Sequence, residues 1–161
     1  MSVNKERPHL LVIPEDDANR QLIEGFRNHL SVDPRKVHVE NVAGGWIKAL
    51  ELFRDSHASL LRKYGQRQVL ILIDFDDKNR LEKAKEYVPD EVKNRVFILG
   101  SSSDPEKLAS SLKMSKENVG LALAEACVSD SGDLWQSQLL THNQDELARM
   151  KESICEDLMI S

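Results

Sequence analysis

The chain has 161 residues, of which 40% are hydrophobic and 30% are charged, and its formal net charge is -5 at pH 7. This length and composition are typical of one globular domain spanning residues 1–161. The acidic balance argues against a broad nucleic-acid-binding face, although a local basic groove is compatible with it.

The termini and the cysteines indicate where the protein works. Residues 1–8 are polar and lack the apolar segment of a signal peptide. No apolar run approaches the roughly 20 residues of a membrane span. Cys127 and Cys155 have no metal-site spacing, so we expect free thiols in a reducing environment. We therefore expect a cytoplasmic protein without membrane contact. The sequence gives no oligomeric state.

Apolar runs and helical stripes alternate along the chain and predict its elements. In chain order we predict strands at 9–13, 37–42, 69–73 and 95–99, and helices at 18–30, 46–64, 78–88, 115–127 and 145–158. The first helix carries an apolar stripe formed by Leu22, Ile23, Phe26 and Leu30.

Alternation of strands and helices predicts the fold class. It is typical of an α/β three-layer sandwich around a mostly parallel four-stranded central sheet, here with extra C-terminal helices. The first and third strands are the most hydrophobic, and strands buried on both faces lie in the middle of such sheets. We therefore expect these two strands to be neighbours at its centre.

Acidic residues follow both of these strands. The third strand ends in Asp74-Phe75-Asp76-Asp77, and Glu15 follows the first strand. Open α/β sheets bind ligands at the carboxyl ends of their strands, and Asp74 and Asp76 point to the same face if the strand continues. Carboxylates this close repel one another unless a cation offsets them, and carboxylate oxygens suit Mg²⁺ or Mn²⁺. The sequence therefore predicts a metal site at Glu15, Asp74 and Asp76.

Several nearby residues have a plain structural explanation as well. Asp16 and Asp17 suit the positive end of a helix dipole, so whether they or Asp77 join the site is open. Gly44-Gly45 fits a tight strand-to-helix turn better than a phosphate cradle. His38 is expected at the surface, and His57 is expected to pack in the core.

The motif of a glutamate closing the first strand and an Asp-x-Asp closing the third resembles the Toprim domain of topoisomerases, primases and related nucleases. The matching residues are Glu15, Asp74 and Asp76. The chain is also similar, over most of its length, to uncharacterised bacterial proteins with a reduced Toprim-like core. The resemblance implies a Toprim/Rossmann-like fold and Mg²⁺-dependent phosphodiester chemistry, with Glu15 as general acid/base and the two aspartates as metal ligands. Asp16 stands where the Toprim pattern usually has glycine, which favours a small nuclease or a metal-binding relative over a topoisomerase or primase.

Two other classes of function remain open. The acids Asp16 and Asp17, with Asp74 after the third strand, also resemble a response-regulator receiver, in which Asp74 would accept a phosphoryl group. The fifth strand and lysine of a receiver have no counterpart in the sequence. An interaction module that kept the scaffold without the chemistry is the third alternative. For the Toprim-like function, the expected partner is nucleic acid or another phosphate-containing substrate. Lys48, Lys78 and Arg80 are candidate phosphate contacts.

Overall fold

The computed structural model of the chain describes residues 4–75, 79–100, 109–110, 113, 115–128 and 144–160. Its strands are β1 (His9–Pro14), β2 (Val37–Val39), β3 (Arg67–Leu72) and β4 (Val96–Leu99). Its α-helices are α1 (Asp17–Arg27), α2 (Trp46–Leu52), α3 (Ala58–Lys63), α4 (Asn79–Glu86), α5 (Lys116–Val128) and α6 (Gln144–Met150). Short 3-10 helices cover Pro34–Lys36, Asp90–Arg95 and Glu156–Leu158.

The four strands form one parallel sheet in the order β2-β1-β3-β4. Leu10 of β1 pairs with Val37 of β2 and with Gln68 of β3. The prediction that the first and third strands lie side by side at the centre is confirmed, as is the α/β fold class.

Helices cover both faces of the sheet, because successive side chains of a strand point to opposite faces. Leu10 and Val12 pack with α1, α5 and the C-terminal helices in one core cluster. Leu11 and Ile13 pack with α2, α3 and α4 in the other. This arrangement is the predicted three-layer sandwich, in which the extra C-terminal helices join the α1 layer.

Helix α1 is shorter than its apolar stripe predicts. Asp16 caps its N-terminus, with the carboxylate accepting the Asn19 N–H, and the helix ends at Arg27 with Asn28 as C-cap. Leu30 was expected on the buried stripe, but it is 92% exposed. The expectation is wrong because the chain leaves the helix before Leu30, and Val32 is buried in the same core cluster as the stripe.

Helices α1 and α5 cross at two glycines. A Cβ built on Gly120 would lie 1.9 Å from the Leu22 carbonyl oxygen, and one on Gly25 would lie 2.0 Å from the Glu117 carbonyl oxygen. Only glycine permits backbones to approach this closely, although it costs about 1 kcal/mol relative to alanine inside a helix. The contact between these helices is therefore made by backbone as much as by side chains.

The helical connection from β2 to β3 contains a π-helical segment. Helix α2 continues through Phe53–His57, which is π-helical, into α3. Phe53 and His57 are both buried, so the expectation that His57 packs in the core is confirmed. The Nδ1 atom of His57 has no hydrogen-bond partner within the described residues.

Side chains of α6 cover the outer edge of β4. Glu146 Oε2 accepts the backbone N–H of Ile98 at 2.9 Å, and Arg149 donates to the carbonyl oxygens of Lys93 and Val96. Glu146 and Arg149 also form an ion pair with each other. Edge strands present unpaired backbone groups that invite pairing with other chains, and here two side chains satisfy part of that edge.

The state of the cysteines differs from the expectation. Cys155 is buried and disulfide-bonded, so the prediction of free thiols is wrong. The chain has one other cysteine, Cys127. No helix in the described ranges has the length and hydrophobicity needed to cross a membrane.

Candidate functional site

Glu15 and Asp74 meet where the sheet reverses its direction of winding. They follow β1 and β3, which are adjacent strands whose connections leave toward opposite faces, and ligands of open α/β sheets bind at such a point. Glu15 Oε2 accepts the backbone N–H of Asp74 at 2.7 Å, and the Glu15 N–H donates to the Leu72 carbonyl oxygen at 2.9 Å. The structure therefore brings together two of the three predicted site residues.

Asn19 connects two of the neighbouring carboxylates. Its side-chain amide donates to Asp16 Oδ1 at 3.0 Å and to Asp74 Oδ1 at 3.1 Å. Asn19 is only 1% exposed and Asp74 only 6%. One neutral donor group shared between two acids stabilises both, and it fixes the orientation of the Asp74 carboxylate.

The sequence analysis missed Asn19, although a signal was present. Asn19 precedes Leu22, Ile23 and Phe26 by three, four and seven residues, so it belongs to the buried face of α1. A polar residue at a buried position needs a hydrogen-bond partner, and this requirement marks it as part of a polar site.

Pro14 and a glycine pair shape the wall beside Glu15. Because bonding alternates along a parallel strand, the Pro14 nitrogen faces β2 but has no hydrogen to donate. The Glu40 N–H donates to the Val12 carbonyl oxygen, and the Ala43 N–H donates to the Pro14 carbonyl oxygen. Regular pairing would use residue 42 for the second bond, so the pairing shifts by one residue after Val12. The N–H groups of Gly44 and Gly45 both donate to the Glu15 carbonyl oxygen, at 2.8 and 3.2 Å.

The glycine pair requires its residue type, because its φ angles are 91° and 155°. The expected tight turn from strand to helix is thus present. The turn holds the backbone of Glu15 and delivers the chain directly into α2.

An arginine and a tryptophan flank the two acids. Arg80 Nη1 donates to the Asp74 carbonyl oxygen at 2.8 Å, and its guanidinium lies 4.8 Å from the centre of the Trp46 ring. Lys48 folds back toward the turn, because its Nζ lies 3.9 Å from a Cβ built on Gly44. Arg80 thus lies against the backbone of Asp74, and Lys48 lies against the glycine turn.

The side chains of the site offer carboxylate and amide oxygens as possible metal ligands (Glu15, Asp16, Asn19 and Asp74). Oxygen ligands of this kind fit a hard cation. Within the described residues, no group of three or more His, Cys, Asp or Glu side chains is arranged to hold a metal ion. Asp76 and Asp77 lie outside the described residues, as does Lys78. The three-ligand arrangement therefore stays a prediction, while its Glu15–Asp74 half has the expected proximity.

Asp17 stands apart from this group. Its carboxylate accepts hydrogen bonds from Arg20 and Gln21 on the exposed side of α1. The hydrogen bond from Arg20 is the main reason that the pKa of Asp17 lies below its ordinary value. Asp17 is explained by the helix start, in agreement with the plain structural interpretation.

A second polar cluster lies at the opposite end of the strands. Arg67 Nε donates to His9 Nε2 at 3.0 Å, while His9 Nδ1 donates to the Arg7 carbonyl oxygen at 2.8 Å. His9 is therefore neutral in this geometry, and its burial lowers its pKa. Burial also lowers the pKa of His57, partly opposed by Glu40, whose Oε1 lies 3.9 Å from His57 Nε2.

Comparison of the chain with protein-family models, curated protein sequences and solved structures finds no match.

Proposed function

We propose that the chain is a Toprim-like protein that binds Mg²⁺ or Mn²⁺ through Glu15, Asp74 and Asp76 and acts on a phosphodiester or another phosphate substrate. One observation carries the proposal: Glu15 and Asp74 follow two adjacent central strands, and the Glu15 carboxylate accepts the backbone N–H of Asp74 at the edge of the sheet where such folds bind ligands. The proposal keeps the expectation of a cytoplasmic location, against which the disulfide at Cys155 counts, since disulfides are rare in the cytosol.

The neighbours of the acids support a metal site. Asn19 donates to the carboxylates of both Asp16 and Asp74, so two acids lie close together beside Glu15, and carboxylates this close disfavour one another's charged forms. Arg80 contacts the backbone of Asp74 through its carbonyl oxygen. A divalent cation would compensate the charge of the carboxylates directly.

The roles of the protein groups follow from their positions. When bound, the cation would orient phosphate oxygens and stabilise the charge that develops on them. Asp74 would bind the cation through a carboxylate whose orientation the Asn19 amide fixes. Glu15, anchored through both its backbone and its carboxylate, would move a proton to or from the reacting oxygen.

Calorimetric titration of Mg²⁺ and Mn²⁺ into the wild type and into Asp74→Asn tests the proposal. We expect the heat of binding to disappear in the variant, because the substitution removes the charge but keeps an oxygen that can accept the Asn19 amide. The double variant Asp74→Asn, Asp76→Asn should behave in the same way.

Asp17→Asn is the matched control, since it removes one negative charge two residues from Glu15 at an exposed position. It should leave metal binding unchanged. Equal binding by wild type and Asp74→Asn, or absence of binding by the wild type, contradicts the proposed metal site. Hydrolysis of nucleic acid and phosphate-ester substrates is then compared between wild type and Glu15→Gln.

A receiver-like phosphoacceptor is the second candidate, and the sheet order favours it. The order β2-β1-β3-β4 equals the first four positions of the 2-1-3-4-5 order found in doubly wound proteins of the flavodoxin type. Against it, α6 contacts the β4 edge on which a fifth strand would pair. If this candidate is right, acetyl phosphate labels the wild type and not Asp74→Asn; an unlabelled wild type excludes it.

A further inference from the structure

We propose that a cationic cluster around Tyr64 binds a tetrahedral dianion, either the free phosphate ion or a phosphate monoester. The cluster consists of Lys5, Lys63 and Arg67. It lies where β3 begins, at the opposite end of the sheet from the candidate metal site. Binding here is separate from the proposed function and does not depend on it.

Three positive charges surround the ring of Tyr64. Lys5 Nζ lies 5.0 Å from the ring centre, Lys63 Nζ lies 5.4 Å from it, and the Arg67 guanidinium lies 4.8 Å from it. One cation at an aromatic ring is a common contact, whereas three like charges around one ring repel one another. Lys63 alone would be explained by the negative end of the α3 dipole, but Lys5 and Arg67 belong to other segments. An anion held among them would remove the repulsion.

None of the three cations forms an ion pair with an acid in the part of the chain that the structure describes. Arg67 is the decisive member, because it is only 6% exposed and buried arginines are almost always paired. Its Nε donates to the neutral ring of His9, and its guanidinium contacts Tyr64. Burial lowers the pKa of Arg67, and the charges of Tyr64 and Glu40 oppose this shift only in part. The cluster therefore has a buried positive charge that these neighbours do not compensate.

The hydroxyl of Tyr64 is the point at which the two lysines converge. Partial burial of this hydroxyl raises its pKa, but Lys5 and Lys63 outweigh that effect, so the pKa lies below its ordinary value of 10. Both ammonium groups therefore act on one oxygen atom. A phosphate oxygen beside it can accept hydrogen bonds from both lysines and from the phenol.

Arg95 holds the backbone that carries this cluster. Its Nη1 donates to the carbonyl oxygens of Tyr64, Gly65 and Arg67, at 3.1, 3.3 and 3.2 Å. Its Nη2 donates to the Leu61 carbonyl oxygen at 2.6 Å. These bonds fix the turn from α3 to β3 and add a fourth positive charge to it. A ligand at this turn loses less free energy to ordering of the protein, because the backbone is already fixed.

The charge of the cluster favours a dianion over a carboxylate. A carboxylate carries one negative charge and would leave most of the positive charge uncompensated. A phosphate monoester carries a charge of about −1.5 to −2 at pH 7 and offers three strong acceptor oxygens. Ammonium groups bind phosphate as point charges, and a guanidinium binds it through its planar fork. We therefore expect phosphate to bind more tightly than acetate.

Calorimetric titration of inorganic phosphate into the full chain, at constant ionic strength and in EDTA, tests the site without metal at the acids. We expect Lys5→Gln and Lys63→Gln each to weaken binding about fivefold, the upper end for one exposed charge pair. Both lysines are exposed, so these variants keep the folded core intact. Arg67→Gln should weaken binding further, and circular dichroism of this variant checks that it is folded.

Lys83→Gln is the matched control, because it removes the same charge from an exposed lysine of α4, which follows the opposite end of β3. It should leave the affinity for phosphate unchanged. Absence of phosphate binding by the wild type, or equal binding by the double variant Lys5→Gln, Lys63→Gln, overturns the site.

Two further titrations locate the anion and identify its source. Asp74→Asn should bind phosphate as the wild type does, and a changed affinity would place the anion at the acids and overturn the site. Phosphate binding in a protein that binds no Mg²⁺ keeps this site and refutes the proposed metal chemistry. Phenyl phosphate binding more tightly than inorganic phosphate would identify a monoester as the ligand, and weaker binding would identify the free ion.

Discussion

Replacement of Gly120 by alanine tests the close crossing of α1 and α5. The new Cβ would lie 1.9 Å from the Leu22 carbonyl oxygen, whereas ordinary contact begins at 3.4 Å, so the backbones must separate by about 1.5 Å. The atoms that the new Cβ would meet belong to the backbone of α1, which cannot move aside as a flexible side chain can. The cost should therefore lie near the upper end of the about 1–3 kcal/mol typical of overpacking. The higher helix propensity of alanine relative to glycine offsets about 1 kcal/mol of this cost. The expected net loss is about 2 kcal/mol of unfolding free energy.

Urea denaturation followed by circular dichroism measures this loss. With a slope of about 2 kcal/mol per molar urea, the midpoint should fall by about 1 M. Gly65→Ala is the control, because a Cβ there meets nothing within 4 Å and its φ is not in the left-handed region. That variant should be neutral or more stable by up to about 1 kcal/mol. A Gly120→Ala protein as stable as the control would refute the close approach of the two helices.

Two further predictions concern the buried histidines and the sheet edge. His9 and His57 have pKa values below their ordinary 6.5 because of burial, so the unfolded chain binds more protons below pH 6.5 and the unfolding free energy should fall as the pH decreases through that value. His57→Leu should make this slope shallower in denaturation curves collected across pH, and an unchanged slope would contradict the assignment. Glu146→Leu should cost about 1–3 kcal/mol because the Ile98 N–H is left without its acceptor, whereas Glu146→Gln should cost less. Hydrogen exchange at the Ile98 amide should accelerate in the leucine variant. Retained protection of this amide would show that α6 does not cover the backbone of the β4 edge.

The sequence predicted those features that depend on the order of apolar residues along the chain. Two strands without polar alternation had to be central, and acids that follow such strands had to meet at one edge, which is why Glu15 and Asp74 were found. Leu30 was misplaced because the apolar period continues past the residue at which the helix ends. Periodicity alone carries no information about that end, which Asn28 could have indicated because asparagine is common at helix C-termini.

Features that depend on which elements become neighbours were not predictable in the same way. Gly25 and Gly120 look like weak positions in two separate helices until the crossing point is known. Glu146 looks like an ordinary first-turn acid of α6 until β4 is known to be an edge strand. Asn19 is intermediate, since its buried position follows from the helical period but its partner Asp74 does not.

The proline at the end of β1 gives the candidate site a property that bears on affinity. A binding site that exists only part of the time weakens its ligand by the fraction of molecules in which it is formed. Pro14 has no N–H to donate toward β2, so the shifted pairing beside Glu15 follows from the covalent structure of one residue. A ligand at this edge would meet a backbone arrangement set during folding, and none of its binding free energy would be needed to rearrange the strands.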